Sequence, residues 1–312
     1  MLRKRRERDP QEPKPLTELA PRHSYNQVLS QGENLFKSRF GDLSEHEWLE
    51  VLKRSISEPV IDGVLFPGFP EEELQSGIHG SSGADGLHGA FEFYTYVREK
   101  TYGESGEGKR FLDFAAGWGR ISRFFMRDFE FEDLWAYEPD PLFCTVARSI
   151  NPYVCFMTGP RTPDNTLPQG FFDLVVGYSI FSHLSRLSAG AWLTEINRSM
   201  KPGGQCVMTT WGRRFLDDLR KAEVQLEQGV DVHWYTELCV RTAGSLEERI
   251  AEYEAGEFVY FSQGDALYGE AFVSPGALTR MISEEGLDFE LVEFDTASIA
   301  QDVFVLRRPH AT

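Results

Sequence analysis

The sequence predicts an α/β protein: a doubly wound, mostly parallel sheet, with a helical extension ahead of it and an insertion before the last helix. Three observations carry this. Between Arg110 and Trp211, short apolar runs alternate with amphipathic stretches of helical spacing, the rhythm of strands and crossover helices. Runs such as FFDLVVGY, 171–178, are apolar almost without interruption, as strands covered on both faces are. And FLDFAAGWGR, 111–120, places its smallest residues at the mouth of the first strand. In an open α/β sheet that is where a ligand approaches the backbone.

The bulk composition narrows the function classes. The chain has 312 residues, with 32 Lys and Arg against 49 Asp and Glu, a net charge of −17. That balance argues against a phosphate-tracking surface, so nucleic acid is not an expected partner. No apolar run approaches membrane-spanning length, and MLRKRRERDPQEPKP lacks the apolar centre of a signal peptide; no membrane partner is expected. Cys144, Cys155, Cys206 and Cys239 are widely spaced with no CxxC pair. Buried thiols in a reducing, cytoplasmic compartment are the expectation. The oligomeric state is not legible.

In chain order, residues 1–23 are charged and Pro-rich and read as a disordered tail. Its LRKRRER run reads as part of that solvated tail, the competing reading being a docking motif for an acidic partner. Residues 24–104 form a helical and loop extension. Ser44-x-x-Glu47 resembles a capping box, followed by Trp48, Leu49, Val51 and Leu52 at helical spacing. IDGVLFPGFP and EEELQSGIHGSSGADG read as loops. Residues 105–212 make the core. Its strands are FLDFAA, DLWAYE, YVCFM, FFDLVVGY and QCVMTTW. Helices are expected over 118–129, with Ile121, Phe124, Phe125 and Phe129 on one face, over PLFCTVARSI, and over 188–200, stopped by Lys201-Pro202-Gly203-Gly204. Residues 213–273 read as an insertion or substrate lid: helical and charged over 213–228, then without clear period, with a β-hairpin around FVYFSQGDALYGEAFV. Residues 274–312 return to the core. Ser274-Pro275 starts a helix and Gly286 ends it, and DFELVEFD and QDVFVLRRP close the chain as an antiparallel pair.

Small residues at a strand–helix turn admit a ligand to the backbone, and unpaired N–H groups follow. AAGWG alone reads equally as a tight packing turn. Glu138 ends the second strand about twenty residues on, where a carboxylate can accept ribose hydroxyls. The dinucleotide fingerprint is absent: Ala115-x-Gly117-x-Gly119 is followed by Arg120, Ile121 and Ser122, with no third glycine at the required offset.

Taken together, LDFAAGWGR, Glu138, FDLVVGYSIFSHL and KPGGQCVMTT resemble class I S-adenosylmethionine-dependent methyltransferases, the small-molecule branch most of all, over roughly residues 105–212. QDVFVLRRP resembles the closing strand of that family. The resemblance implies a seven-stranded Rossmann-like sheet with its last strand antiparallel, and S-adenosylmethionine lying across the tips of the first, second and fourth strands. Position by position, it implies that Asp113 orients the glycine turn or the methionine amino group. Ala115, Gly117 and Gly119 would line the methionine moiety, and Glu138 would hold the ribose. Gly159, Pro160 and Arg161 would flank the adenine, and Tyr178 and Ser179 would face the transferring methyl. Trp118 either covers the cofactor or plugs the sheet edge. This sequence departs from the pattern twice. Ala115 replaces the first glycine, which its methyl tolerates only at negative φ, and no acid follows the third strand.

The implied reaction is methyl transfer to an oxygen or nitrogen of a small-molecule acceptor. No Asp/His/Glu cluster shows metal-ligand spacing, so a metal-independent route is expected. A hydroxyl acceptor must lose its proton, and His183, after the fourth strand, is the candidate base. The competing reading is that His183 caps or packs the next helix. His79, His88 and His233 could also reach a substrate. The aromatics of the insertion, among them Trp234, Tyr235 and Tyr268, either wall an acceptor pocket or form the insertion's own core. Two other functions compete: a non-catalytic cofactor-binding scaffold, and an NAD-dependent oxidoreductase, against which the glycine spacing weighs.

Overall fold

The computed structural model describes residues 33–103 and 105–310; the basic tail of the first 23 residues lies outside them. After a small hairpin at 60–65, the strands are, in chain order, β1 (Phe111–Phe114), β2 (Leu134–Tyr137), β3 (Cys155–Met157), β4 (Phe172–Gly177), β5 (Met200–Thr210), β6 (Phe258–Ser262), β7 (Gly269–Val273), β8 (Glu290–Asp295) and β9 (Asp302–Arg307). Seven of them form one sheet in the order β8-β9-β5-β4-β1-β2-β3. The strands from β5 to β3 pair in parallel, and β9 runs antiparallel to both β5 and β8. The order reverses at β1, whose neighbours are β4 and β2, so a crevice opens beyond the tips of these strands. Leu174 and Val176 of β4 join one apolar core while Phe172 and Val175 join another. The unbroken apolar run is therefore covered on both faces.

The extension supplies α1 (Leu35–Phe40), α2 (Glu45–Arg54), α3 (Glu72–His79) and α4 (Gly83–Lys100). The capping box at Ser44 and Glu47 is present. Two side chains tie the extension to the segment after β1: Asn34 Nδ2 donates to the carbonyls of Met126 and Phe129, and Trp48 Nε1 donates to the carbonyl of Phe124. EEELQSGIHGSSGADG is not the expected loop. It forms α3, a left-handed turn at Gly80 with φ +71°, and the first turn of α4. Burial of Leu87, Phe91, Phe93 and Val97 along α4 outweighs the poor helix propensity of its first residues.

A second expectation is corrected between β1 and β2. Residues 118–129 do not form an amphipathic α-helix; Ser122–Arg127 is a 3₁₀ helix. All six of its residues are buried between the sheet and the extension. A segment enclosed on every side has no solvent face, so its apolar spacing does not report its helical type.

The remaining helices are α5 (Pro141–Ile150), α6 (Arg186–Ser199), α7 (Arg213–Glu227), α8 (Trp234–Ala243), α9 (Leu246–Glu254) and α10 (Pro275–Glu284). The hairpin expected in the insertion is β6–β7. Helices α8 and α9 occupy the stretch that shows no period. Leu216, Leu219, Cys239, Val259, Phe261 and Phe272 build a separate small core there. Ser274 caps α10 ahead of Pro275, and Gly286 follows its end at φ +63°. Among the described residues, no helix is long and apolar enough to cross a membrane.

Candidate active site

The chain leaves β1 through a turn of left-handed residues: Ala115 at φ +57°, Gly117 at +56° and Gly119 at +83°. The expectation of negative φ at Ala115 is thus overturned. For alanine this region costs about 1–2 kcal/mol and is not forbidden, and the turn holds it. Ala116 N donates to Tyr137 O at 3.0 Å and Gly119 N donates to Ala116 O at 2.9 Å. Asp113 braces the turn from below, its Oδ2 accepting the Ser122 amide at 2.9 Å and the Ser122 hydroxyl at 2.6 Å. Burial pushes its carboxyl up to about 7 against those bonds.

Glu138 lies just past the end of β2, buried. Its Oε2 accepts the Gly117 amide at 2.7 Å and its Oε1 the Asp140 amide at 2.8 Å. Burial raises this carboxyl too, to about 7, although both amides favour its ionised form. Each oxygen keeps a lone pair for a further donor. A methyl built on Gly117 would meet nothing within 4 Å, whereas one on Gly119 would strike Phe156 Cζ at 2.7 Å. Gly117 therefore borders open space beside the carboxylate, and Gly119 serves close packing against β3. Open backbone at the turn and a fixed carboxylate with spare lone pairs are what a ribose-bearing ligand requires.

At the tip of β4, Tyr178 packs on Phe93 at 5.2 Å and lies under the Arg120 guanidinium at 5.3 Å. Ser179 is a second strained non-glycine, at φ +58°; its amide donates to Thr209 Oγ1 at 2.6 Å and its hydroxyl accepts from Gln301 Nε2 at 2.8 Å. Such outliers persist where surrounding structure over-determines them, often at functional sites. Beyond β3, Pro160 O accepts the Tyr137 hydroxyl at 2.7 Å and Arg161 O accepts Trp192 Nε1 at 3.0 Å. The Arg161 side chain reaches Asp265 in the β6–β7 connection at 2.8 Å.

Residues 111–204, from the start of β1 into β5, match the family described as a methyltransferase domain. Over that segment the chain carries a methyltransferase domain. The solved structures it is similar to include a protein of Pyrococcus horikoshii, at 17% identity over 70% of this chain and 88% of the other, with a TM-score of 0.45. Others are an S-adenosylmethionine-dependent methyltransferase of Thermotoga maritima (14% identity, 83% and 99%, TM-score 0.44) and one of Mesorhizobium loti (12%, 71% and 100%, TM-score 0.46). No curated protein sequence matches the chain significantly.

His183 follows the β4 tip in a segment that pairs with the insertion's hairpin. Ala271 N donates to Ser182 O and Gly269 N to His183 O, both at 2.8 Å, and Ser185 N donates to Leu267 O at 3.1 Å. Those bonds bring His183 Nδ1 to 2.9 Å from Gly269 O. A carbonyl only accepts, so Nδ1 donates, and in the neutral ring that contact selects the tautomer with its lone pair on Nε2. The ring stacks on Tyr268 at 4.9 Å. It does not cap the next helix, since Ser185 is the N-cap of α6.

Glu270, which sequence reasoning missed, lies 3.5 Å from His183 Nδ1 and is buried. Its Oε1 accepts Tyr235 Oη at 2.7 Å and Gln263 Nε2 at 3.1 Å, and its Oε2 accepts Trp211 Nε1 at 2.9 Å. The available signal is a lone acid inside the apolar strand GEAFV. Tyr268 links the two halves of the site: partial burial and then the carboxylates of Glu270 and Glu138 push its hydroxyl up to about 12.

The structure does not bring every candidate here. Trp118 is buried against Phe69 at 5.8 Å and His79 at 6.0 Å, packed under the extension and not at the sheet edge. His88 is exposed and 3.7 Å from Glu92. His233 caps α8. Of the insertion's aromatics, Tyr253 and Phe261 join its core, Trp234 is exposed, and Tyr235 and Tyr268 meet Glu270 and His183. Among the described residues, no group of three or more His, Cys, Asp or Glu is placed to hold a metal.

Proposed function

We propose that the protein transfers a methyl group to an oxygen or nitrogen of a small-molecule acceptor, with His183 taking the acceptor's proton and without a metal ion. When bound, S-adenosylmethionine supplies a methyl on a sulfonium centre already activated for displacement. The chain's own residues bind, align and move the proton. Glu138 accepts the ribose hydroxyls, and Gly117 and Ala115 border the methionine moiety while Asp113 braces their turn. Pro160 and Arg161 flank the adenine, and Tyr178 and Ser179 face the transferring group. Residues 213–273 cover the acceptor and shut out water, as transfer in line requires.

The single observation that carries the reading is the Nδ1 contact of His183 with Gly269 O, which leaves Nε2 as a lone pair. The buried Glu270 side chain, 3.5 Å from Nδ1, helps hold the ring in that orientation. The test is turnover of methyl-labelled cofactor against a panel of small phenols, alcohols and amines. Transfer that drops about 10²- to 10⁴-fold in His183→Ala supports the base role. Transfer unchanged in that variant removes His183 from the mechanism. Cofactor binding with no acceptor ever labelled replaces the enzyme reading with a binding scaffold.

A further inference from the structure

The connection between β6 and β7, residues 263–268, is held at three points. At its start, Gln263 Nε2 donates to Glu270 Oε1 at 3.1 Å. In its middle, Asp265 Oδ2 accepts Arg161 Nη1 at 2.8 Å. At its end, Leu267 O accepts the Ser185 amide at 3.1 Å, and Tyr268 pairs with Leu184 and stacks on the His183 ring at 4.9 Å. The start and end continue the hairpin: Ser262 pairs with Gly269, whose amide donates to His183 O at 2.8 Å. The middle depends on one ion pair between side chains that are 52% and 43% exposed. Such a pair holds weakly in water, so it opens without disturbing the hairpin.

Both partners of the pair are prepared for it. Asp265 Oδ1 accepts the Leu267 amide at 2.8 Å, and Asp265 O accepts Ser262 Oγ at 2.7 Å and Tyr260 Oη at 3.1 Å. The turn around Asp265 is therefore bonded within itself and moves as a unit. On the other side the main chain is fixed, since Arg161 O accepts Trp192 Nε1 and Pro160 O accepts the Tyr137 hydroxyl. Sheet order then decides what the connection crosses. Arg161 follows β3, His183 and Ser185 follow β4, and β1 and β2 lie between those strands. A segment held on both sides passes over the ends of β1 and β2, where the Ala115–Gly119 turn and Glu138 lie. The Tyr268 hydroxyl accordingly lies within electrostatic reach of both Glu138 and Arg161.

We propose that residues 263–268 are a strap across the crevice, that Arg161 and Asp265 are its latch, and that Asp265 is thereby a positioning residue for His183. With the latch closed, Tyr268 is held against the His183 ring and the crevice is shut from above. Opening it lets the nucleoside enter and leave, and withdraws Tyr268 from the ring. Closure over the crevice and placement of the base are one movement, because a single short segment carries both contacts. The inference rests on the proposed cofactor site and base.

Stopped-flow fluorescence with S-adenosylhomocysteine tests the latch in the full chain. Arg161→Met and Asp265→Asn remove the ion pair from either side, and Asp265→Asn keeps an oxygen for the Leu267 amide. Both should raise the dissociation rate about two- to fivefold, the range an exposed ion pair supplies. Asp265→Glu keeps the charge and should bring the rate back towards that of the unmodified protein. An effect in Arg161→Met with none in Asp265→Asn assigns Arg161 to the ligand itself and overturns the strap, as do equal rates in all four proteins. A second readout needs no ligand. The His183 ring proton, assigned by its loss from the NMR spectrum in His183→Ala, carries the ring-current shift of the stacked Tyr268. In Arg161→Met and Asp265→Asn it should move part-way to its position in Tyr268→Leu, and Asp265→Glu should restore it. A resonance unmoved in both overturns the positioning role. If S-adenosylhomocysteine does not bind the unmodified protein, the cofactor reading fails and the resonance alone decides the latch.

Discussion

Glu138 accepts the Gly117 amide through Oε2 at 2.7 Å and so ties the end of β2 to the turn after β1. One carboxylate thereby shapes the turn while each of its oxygens keeps a lone pair open. Glu138→Ala is expected to weaken S-adenosylhomocysteine by about 10- to 100-fold, the worth of hydrogen bonds to a charged group. Burial raises the Glu138 carboxyl to about 7, and its ionised form is the better acceptor. Affinity in the unmodified protein should therefore fall below about pH 7, by at most roughly tenfold per unit. Calorimetry at about pH 6 and pH 8 checks this, and Glu138→Gln should flatten the dependence.

The same carboxyl, with Asp113, sets a stability trend. Both hold their protons more tightly folded than unfolded, each raised to about 7. Their contribution is present in full below the ordinary carboxylate range and is lost as pH climbs to about 7. Urea midpoints without ligand should fall between about pH 4 and pH 7 and change little above that. Asp113→Asn should reduce that fall.

Ala115 sits at φ +57°. Ala115→Gly relieves about 1–2 kcal/mol of backbone strain and costs about 0.4–1 kcal/mol in unfolded-chain entropy. The variant should melt higher, by the equivalent of up to about 1.6 kcal/mol. A lower melting temperature would contradict the strained conformation.

Gly117 and Gly119 separate binding from packing. Gly119→Ala drives a methyl onto Phe156 Cζ at 2.7 Å in a left-handed residue and should cost about 2–4 kcal/mol of stability. Gly117→Ala meets no neighbour. It should cost only the left-handed penalty of about 1–2 kcal/mol, yet fill the space proposed for the ligand and reduce affinity by about tenfold or more. Thermal melts paired with calorimetry distinguish the two.

Glu270→Gln turns an amide NH₂ toward the donors Tyr235, Gln263 and Trp211. A loss of about 1–3 kcal/mol is expected from the donors left unmatched. With an acceptor in hand, kcat should fall about tenfold or more while KM holds, since the residue touches His183 and not the acceptor.

Trp48 is fully buried and bonded to Phe124 O at 3.0 Å. Trp48→Ala should cost about 3–5 kcal/mol, read as an urea midpoint, because the extension packs on the segment that carries the glycine turn.

Much of the fold was legible. Apolar runs and small residues report local burial and close approach, and these placed β1 to β5, the hairpin and the closing antiparallel pair. The same logic drew attention to Gly117 and Glu138. It failed where environment and pattern part company. Ser122–Arg127 is enclosed on all sides, so no solvent face reveals its 3₁₀ form. The glycines near Gly80 and Gly83 suggest a loop, yet burial along α4 makes a helix.

By itself, the sequence determined the doubly wound sheet, the glycine turn and the carboxylate at the second strand's end, because each depends on residues near one another in the chain. Only the tertiary structure decided that His183 meets Glu270, that Ala115 takes a left-handed conformation, and that Arg123 is buried with two of its nitrogens unpartnered among the described residues. These depend on segments distant in sequence, and on the sum of many packing contacts overriding local preference, which no single stretch of residues records.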